Sequence, residues 1–270
     1  HAFSTIAIGG FSPYDASIGH FNSVSIETVA IIFMVISGMN FSLHFIAWHN
    51  NSLKHYLHDP EWKTYLLFLF GLSLLISLAL VENGTYPVNE AFRKGIFEVV
   101  SIATTTGFTT ADYANWPTFI PFLLLMSAFI GACAGSTGGG IKIIRMLLLY
   151  KQGSREIKRL IHPNAVIPIK LGRKPVGSRV IDAVWGFLAA YVLIFAVLML
   201  VCMALGEDPI TAYSAVGACL NNLGPGLGDA TLNYSTLSDG TKYVLSFAML
   251  LGRLELFTLL VVLSPSFWEH

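Results

Sequence analysis

Three short stretches of this sequence carry residues able to replace the water around a cation. The fullest is Ser101-Ile102-Ala103-Thr104-Thr105-Thr106-Gly107-Phe108-Thr109-Thr110-Ala111-Asp112. A second opens the chain, Ser4-Thr5-Ile6-Ala7-Ile8-Gly9-Gly10-Phe11-Ser12-Pro13-Tyr14-Asp15. Laid on the first, it puts Ser4 on Ser101, Gly10-Phe11 on Gly107-Phe108, Ser12 on Thr109 and Asp15 on Asp112. The third is Asn221-Asn222-Leu223-Gly224-Pro225-Gly226-Leu227-Gly228-Asp229, where Gly224 falls on Gly107 and an aspartate follows at the same interval. Recurrence at one spacing is an internal repeat. Glycine tolerates backbone angles that other residues resist, so carbonyls can turn inward together. Rings of such carbonyls build ion-selectivity filters. The competing reading of one such loop, an ordinary polar connection between helices, loses ground when the loop occurs three times.

Composition places these loops in a membrane. Of 270 residues, 54% are hydrophobic and 12% charged, against roughly 25% charged in soluble globular domains. A formal net charge of zero offers nothing to nucleic acid. The cysteines are Cys133, Cys202 and Cys219, all in apolar surroundings. That odd number argues against a disulfide framework or a metal site. The chain begins inside a motif, which reads as a fragment whose preceding unit lies upstream.

The elements that must hold the loops follow from hydropathy, since a helix needs about 20 apolar residues to cross. Ser23–Trp48 is a weak span interrupted by Gly38, Asn40 and His44; Tyr65–Val81 is a clear one. Asn89–Ala103 is too short and polar to cross and reads as a re-entrant half-helix with Asn89 as N-cap. Non-helical backbone at membrane depth is tolerated only inside protein or beside water, so the loop from Thr104 to Thr110 must line a cavity. Phe119–Ile130 starts a third span, and Val180–Leu205 is a fourth. Pro209–Leu220 is a second re-entrant helix, with proline in its first turn. Tyr243–Leu263 is the last span. The fold class is therefore all-α integral membrane. Helix–pore-helix–filter-loop–helix units surround a central pathway. Residues 1–48 are the back half of one unit, 64–150 a complete unit with a broken second helix, 151–179 a basic cytoplasmic loop, and 180–264 a complete final unit.

The third span breaks at Gly131-Ala132-Cys133-Ala134-Gly135-Ser136-Thr137-Gly138-Gly139-Gly140. A phosphate loop fails here, because Ile141 separates Gly140 from Lys142 and no Ser or Thr follows the lysine. An unwound stretch inside a membrane helix, passing close to a pore, suits the glycines better. Close helix packing through small residues is the alternative. From Lys142 to Arg179 the chain carries ten Lys and Arg against Glu156 alone, which sets this side in the cytoplasm and beside lipid headgroups. Between Gly206 and Gly240 the charges are Glu207, Asp208, Asp229 and Asp239, with no Lys or Arg. An acidic outer vestibule of this kind concentrates cations.

With these residues in view, the chain resembles the Trk/Ktr/HKT superfamily of potassium transporters, and within it the bacterial TrkH-like membrane subunits. The resemblance rests on residues 1–12 and on Thr104-Thr105-Thr106-Gly107-Phe108. It rests too on Gly135-Ser136-Thr137-Gly138-Gly139-Gly140-Ile141-Lys142 and Asn221-Asn222-Leu223-Gly224-Pro225-Gly226. It implies four pore-loop repeats, a homodimer in the bacterial inner membrane, and a cytosolic nucleotide-binding, TrkA-like regulatory subunit. Potassium is the transported substrate, and no cofactor is implied. The ion-binding residues would be Ile8, Gly9, Gly10, Thr104, Thr105, Thr106, Gly107, Asn221, Asn222, Leu223 and Gly224. Gly10 matches by its place before Phe11, with Gly9 as the alternative. The gate would be Gly135, Ser136, Thr137, Gly138, Gly139, Gly140 and Lys142, with Arg253. A charge in mid-span costs at least about 2.5 kcal/mol, so Arg253 is expected to face the pore or a buried acid. Glu255, two residues on, points elsewhere on a helix. The loops lack the full Thr-Val-Gly-Tyr-Gly signature, which implies looser selectivity. A sodium-permeable or sodium-coupled carrier and a non-conducting scaffold remain as alternatives. No Ser/His/Asp set or cofactor loop suggests an enzyme.

Overall fold

A computed structural model describes residues 1–117, 119–172, 174–231, 233–254 and 256–268. Its helices run α1 (Ala2–Ile6), α2 (Val24–Ser37), α3 (Phe41–His49), α4 (Lys54–His58), α5 (Pro60–Glu82), α6 (Val88–Ala103) and α7 (Ile120–Ile130). They continue as α8 (Ile143–Ile161), α9 (Ser178–Ala204), α10 (Pro209–Leu220), α11 (Asp239–Arg253), α12 (Leu256–Leu263) and α13 (Pro265–Trp268). A two-stranded hairpin, β1 (Lys170–Leu171) with β2 (Lys174–Pro175), lies between α8 and α9.

Among the described residues, α5 and α9 are long and apolar enough to cross a membrane. Each has a short partner folded back beside it, α6 against α5 and α10 against α9. Leu67, Phe70, Leu193 and Leu200 stand exposed on the long helices, as lipid-facing side chains do, while the short helices are almost wholly buried along their second halves. Asp208 caps α10, accepting from the N–H groups of Ile210 and Thr211 at 3.0 and 3.1 Å. Helix α6 starts without a side-chain cap: its N-cap is Pro87, and Asn89 lies inside the first turn. Pro87 has extended backbone (ψ 154) and needs no N–H of its own there, which leaves Asn89 no capping role.

Three helix pairs among the described residues are broken. The pair α2 and α3 is bent by 90°, at Gly38–Asn40. The pair α7 and α8 is separated by the glycine-rich stretch. Where one last span over Tyr243–Leu263 is expected from hydropathy, α11 and α12 meet at 108° just beyond Arg253. Helix α8 also runs to Ile161, well into the basic stretch, because no proline intervenes before Pro163.

Candidate functional site

The short helices α1, α6 and α10 all end the same way. The N–H two residues past the C-cap bonds back to the carbonyl five residues earlier, Gly9 to Ser4, Thr106 to Ser101 and Leu223 to Ala218, each at 2.8 Å. The preceding N–H bonds three residues back, Ile8 to Thr5, Thr105 to Ile102 and Asn222 to Cys219, at 3.2, 3.0 and 3.1 Å. This paired closure is a Schellman motif, whose pivot residue sits in the left-handed region. The pivots are Ile8, Thr105 and Asn222, with φ of 51, 66 and 55°. Two residues on, Gly10, Gly107 and Gly224 are again left-handed, at 65, 81 and 99°. Gly10, not Gly9, therefore takes the place of Gly107. A left-handed side-chain-bearing residue costs roughly 1–2 kcal/mol, and three copies of the same strain mark a backbone shape held on purpose.

The loops also interlock. A Cβ on Gly10 would strike the carbonyl oxygen of Thr106, and one on Gly107 would strike that of Leu223. Thr104, Thr105, Thr106, Asn221 and Leu223 are buried. Among the described residues, the carbonyls at 104–106 and 221–223 accept no backbone hydrogen bond. Buried carbonyls are almost always paired, so two adjacent runs of unpaired ones form a surface suited to a desolvated cation. The helix C-termini that lead into them add partial negative charge.

The stretch 131–140 leaves α7 and returns to it. Ile141, Lys142 and Ile143 donate backbone N–H groups to Phe129, Ile130 and Ala132 at 2.9, 3.0 and 3.1 Å. The excursion is a compact loop with joined ends. Its tip reaches all three short helices. The Thr137 hydroxyl donates to Ile6 O at 3.1 Å, and Gly139 N–H donates to Thr105 Oγ1 at 2.6 Å. Gly138 lies against Thr104 O and Gly139 against Asn221 O so closely that a Cβ would collide at either. Lys142 Nζ donates to Gly138 O, and Arg253 Nη1 to Thr137 O at 3.2 Å. Gly135 is exposed at the loop's near end, where its carbonyl accepts from Phe41 N–H at 3.0 Å. Ser136 turns inward on itself, bonding Cys133 O at 2.6 Å. Gly140 needs its left-handed φ of 78° and close passage over Ala128 O.

Arg253 is exposed at the end of α11 and reaches the Thr137 carbonyl rather than a buried acid. Among the described residues, its hydrogen-bond partner is this main-chain carbonyl. Glu255 lies outside the described residues. Gly252 lets α11 pass close to the third loop, since a Cβ there would strike Leu220 O and Asn222 Nδ2. A cavity of about 340 Å³ opens beside the loop, walled in part by Lys142, Arg145 and Arg253.

Glu61 escapes a reading of the sequence. Its buried carboxylate accepts from Ala134 N–H at 2.7 Å and Ile144 N–H at 3.2 Å, stapling both flanks of the loop to α5. In sequence it looks like any acid in a first helical turn; only the helix's long apolar run afterwards hints that it is buried. Tyr191 and Tyr234 are also invisible beforehand. Tyr191 donates to Asn221 Oδ1 at 2.7 Å, and Tyr234 to Gly224 O.

A family model described as TrkH, cation transport protein, matches residues 1–270. The chain belongs to the TrkH family. It is 52% identical over 269 residues to the Trk system potassium uptake protein TrkH of Halomonas elongata, covering 100% of this chain and 56% of that protein. TrkH of Escherichia coli K12 is 52% identical over 275 residues, with the same coverage. The crystal structure of the potassium transporter TrkH from Vibrio parahaemolyticus superposes with a TM-score of 0.95 at 51% identity, over 100% of this chain and 58% of that one. The chain thus spans rather more than half the length of the relatives it matches. The all-α membrane class expected from the sequence agrees with this family fold, and the family is one of transporters rather than enzymes.

Proposed function

We propose that this chain forms most of a potassium-uptake pathway. In it the loops at 8–10, 104–107 and 221–224 supply carbonyl oxygens to a dehydrated potassium ion. The observation that carries the reading is the threefold backbone shape, with unpaired carbonyls lining two interlocked loops. Carbonyl dipoles replace the hydration shell of an entering cation. Asp15 and Asp112 border one outer crevice, and Asp112 and Asp229 border another of about 630 Å³. These repeated acids raise the local cation concentration.

The loop from Gly135 to Gly140 is the gate in this reading. It sits across the C-terminal ends of all three short helices, where an ion leaving the carbonyls must pass. Lys142 and Arg253 hold it there through main-chain carbonyls, and their charge opposes a cation on the inner side. The basic stretch around α8 lies on the cytoplasmic face of the bacterial inner membrane. Family likeness extends the proposal to a homodimer and a TrkA-like nucleotide-binding partner on that face.

The test is flux through the complete protein in liposomes, with potassium and sodium offered separately. Selective potassium movement that disappears without protein supports the reading. Equal sodium and potassium movement would favour the sodium-permeable alternative, and no movement of either would favour the scaffold.

A further inference from the structure

Each short helix reaches across to the descending limb of its own loop, and each does so with different chemistry. Nine residues before the loop glycine stand His1, Glu98 and Ala215. His1 Nε2 and Ser12 Oγ are 2.9 Å apart. Glu98 Oε1 accepts from Thr110 N–H at 2.6 Å, Thr110 Oγ1–H at 3.1 Å and Ala111 N–H at 3.1 Å. Ala215 can do neither. Its neighbour Ser214 instead donates to Leu227 O and accepts from Leu227 N–H, both at 2.9 Å. Leu227 follows Gly224 by the same three residues that separate Thr110 from Gly107.

The second clasp is the costly one. Glu98 is fully buried, and its Oε2 has no hydrogen-bond partner among the described residues. Burying a carboxyl with an unmatched oxygen is unfavourable, and the third repeat closes the same junction with a serine. Stability alone does not call for a carboxyl here. What the carboxyl adds is three bonds converging on one oxygen, which fix Thr110 and Ala111 together. At the other end, the Schellman closure fixes Thr106 to Ser101, and Ser101 Oγ also donates to Phe108 O at 2.6 Å. The carbonyls at 104–106 are therefore held from both ends.

We infer that Glu98 is a positioning residue for ion selection: it keeps the second loop from contracting around a cation smaller than potassium. The inference rests on the proposed potassium pathway. A loop free to shrink can solvate sodium as well as potassium, whereas one held open pays sodium less completely for its lost water.

Permeability ratios measured on the complete protein in bilayers test this. Glu98→Gln keeps the side-chain length and one carbonyl oxygen, so its potassium-to-sodium ratio should stay within about twofold of the parent. Glu98→Asp is one methylene short and Glu98→Ala has no acceptor; both should lower the ratio by about fivefold, the equivalent of roughly 1 kcal/mol, while still conducting. Thr110→Val, which removes one of the three bonds, should shift the ratio in the same direction and serves if Glu98→Ala does not reach the membrane. Parental ratios in Glu98→Asp and Thr110→Val overturn the inference. Loss of selectivity in Glu98→Gln equal to that in Glu98→Ala also overturns it, by assigning the effect to charge. A parent protein that passes no potassium fails the pathway reading itself, a separate result.

Discussion

The backbone N–H of Gly139 donates to the Thr105 hydroxyl at 2.6 Å. This bond joins the tip of the glycine-rich loop to the strained pivot of the second glycine loop, so anything that moves one loads the other. Thr105→Val keeps the β-branched shape in the left-handed pivot and puts a methyl group, unable to accept this bond, in place of the hydroxyl. A typical hydrogen bond contributes about 1 kcal/mol net, or roughly a fivefold change in an equilibrium. Basal potassium flux should therefore rise by about that factor, with the potassium-to-sodium ratio unchanged. Flux equal to the parent at equal protein density would show that the bond does not hold the loop closed.

The glycine at position 107 tests the proposed ion path itself. A Cβ there meets Leu223 O, and its φ of 81° is unfavourable for any side chain. Gly107→Ser must therefore rotate or displace carbonyls of two neighbouring loops. The potassium-to-sodium permeability ratio should fall severalfold while the protein still reaches the membrane. An unaltered ratio in a well-expressed variant would remove Gly107 from the ion path.

Sequence reading found the loops because their chemistry repeats where their spacing does: glycine at one place and aspartate five residues later. It placed the two short helices α6 and α10 from length and polarity, and α10 begins at Pro209 as expected. What it could not see were contacts whose residue types change from copy to copy. His1, Glu98 and Ser214 tie their short helices to their loops with a ring nitrogen, a carboxylate and a hydroxyl, Ser214 from one position earlier, so no pattern of identities links them. The bend after Arg253 was hidden for another reason. Hydropathy sums over a window, and α11 and α12 are apolar on both sides of the turn, so a change of direction leaves no trace. Arg253, expected to face the pore or a buried acid, reaches the carbonyl of Thr137 and borders the cavity beside that loop.

The glycine-rich loop offers a structural separation between anchoring and blocking. Its flanks are tied to Glu61, to Gly38 O through Cys133 N–H at 2.9 Å, and to α7 through residues 141–143. Its tip is the part lying across the short helices. Removing Thr137, Gly138 and Gly139 should spare the flanks and raise potassium flux through the complete protein. Folded deletion variants that conduct no faster than the parent would make the run a packing element, as the small-residue alternative holds.

In the proposed pathway Arg253 has two ways to restrain conduction, and they ask different things of the side chain. Its guanidinium reaches Thr137 O at 3.2 Å, a tie on the loop. It also borders the cavity beside that loop, where in the proposed pathway the field of its own charge would oppose an outgoing cation. Arg253→Ala removes both and should raise potassium flux. Arg253→Lys keeps the charge but loses the planar fork that lets guanidinium bond at a distance from its stem. If the tie dominates, Arg253→Lys behaves like Arg253→Ala. If the field dominates, Arg253→Lys behaves like the parent, and Arg253→Ala alone eases outward more than inward current, weakening as salt screens the charge. Lower flux in Arg253→Ala, with the protein folded and in the membrane, would contradict both and leave the arginine as a brace for the bend between α11 and α12.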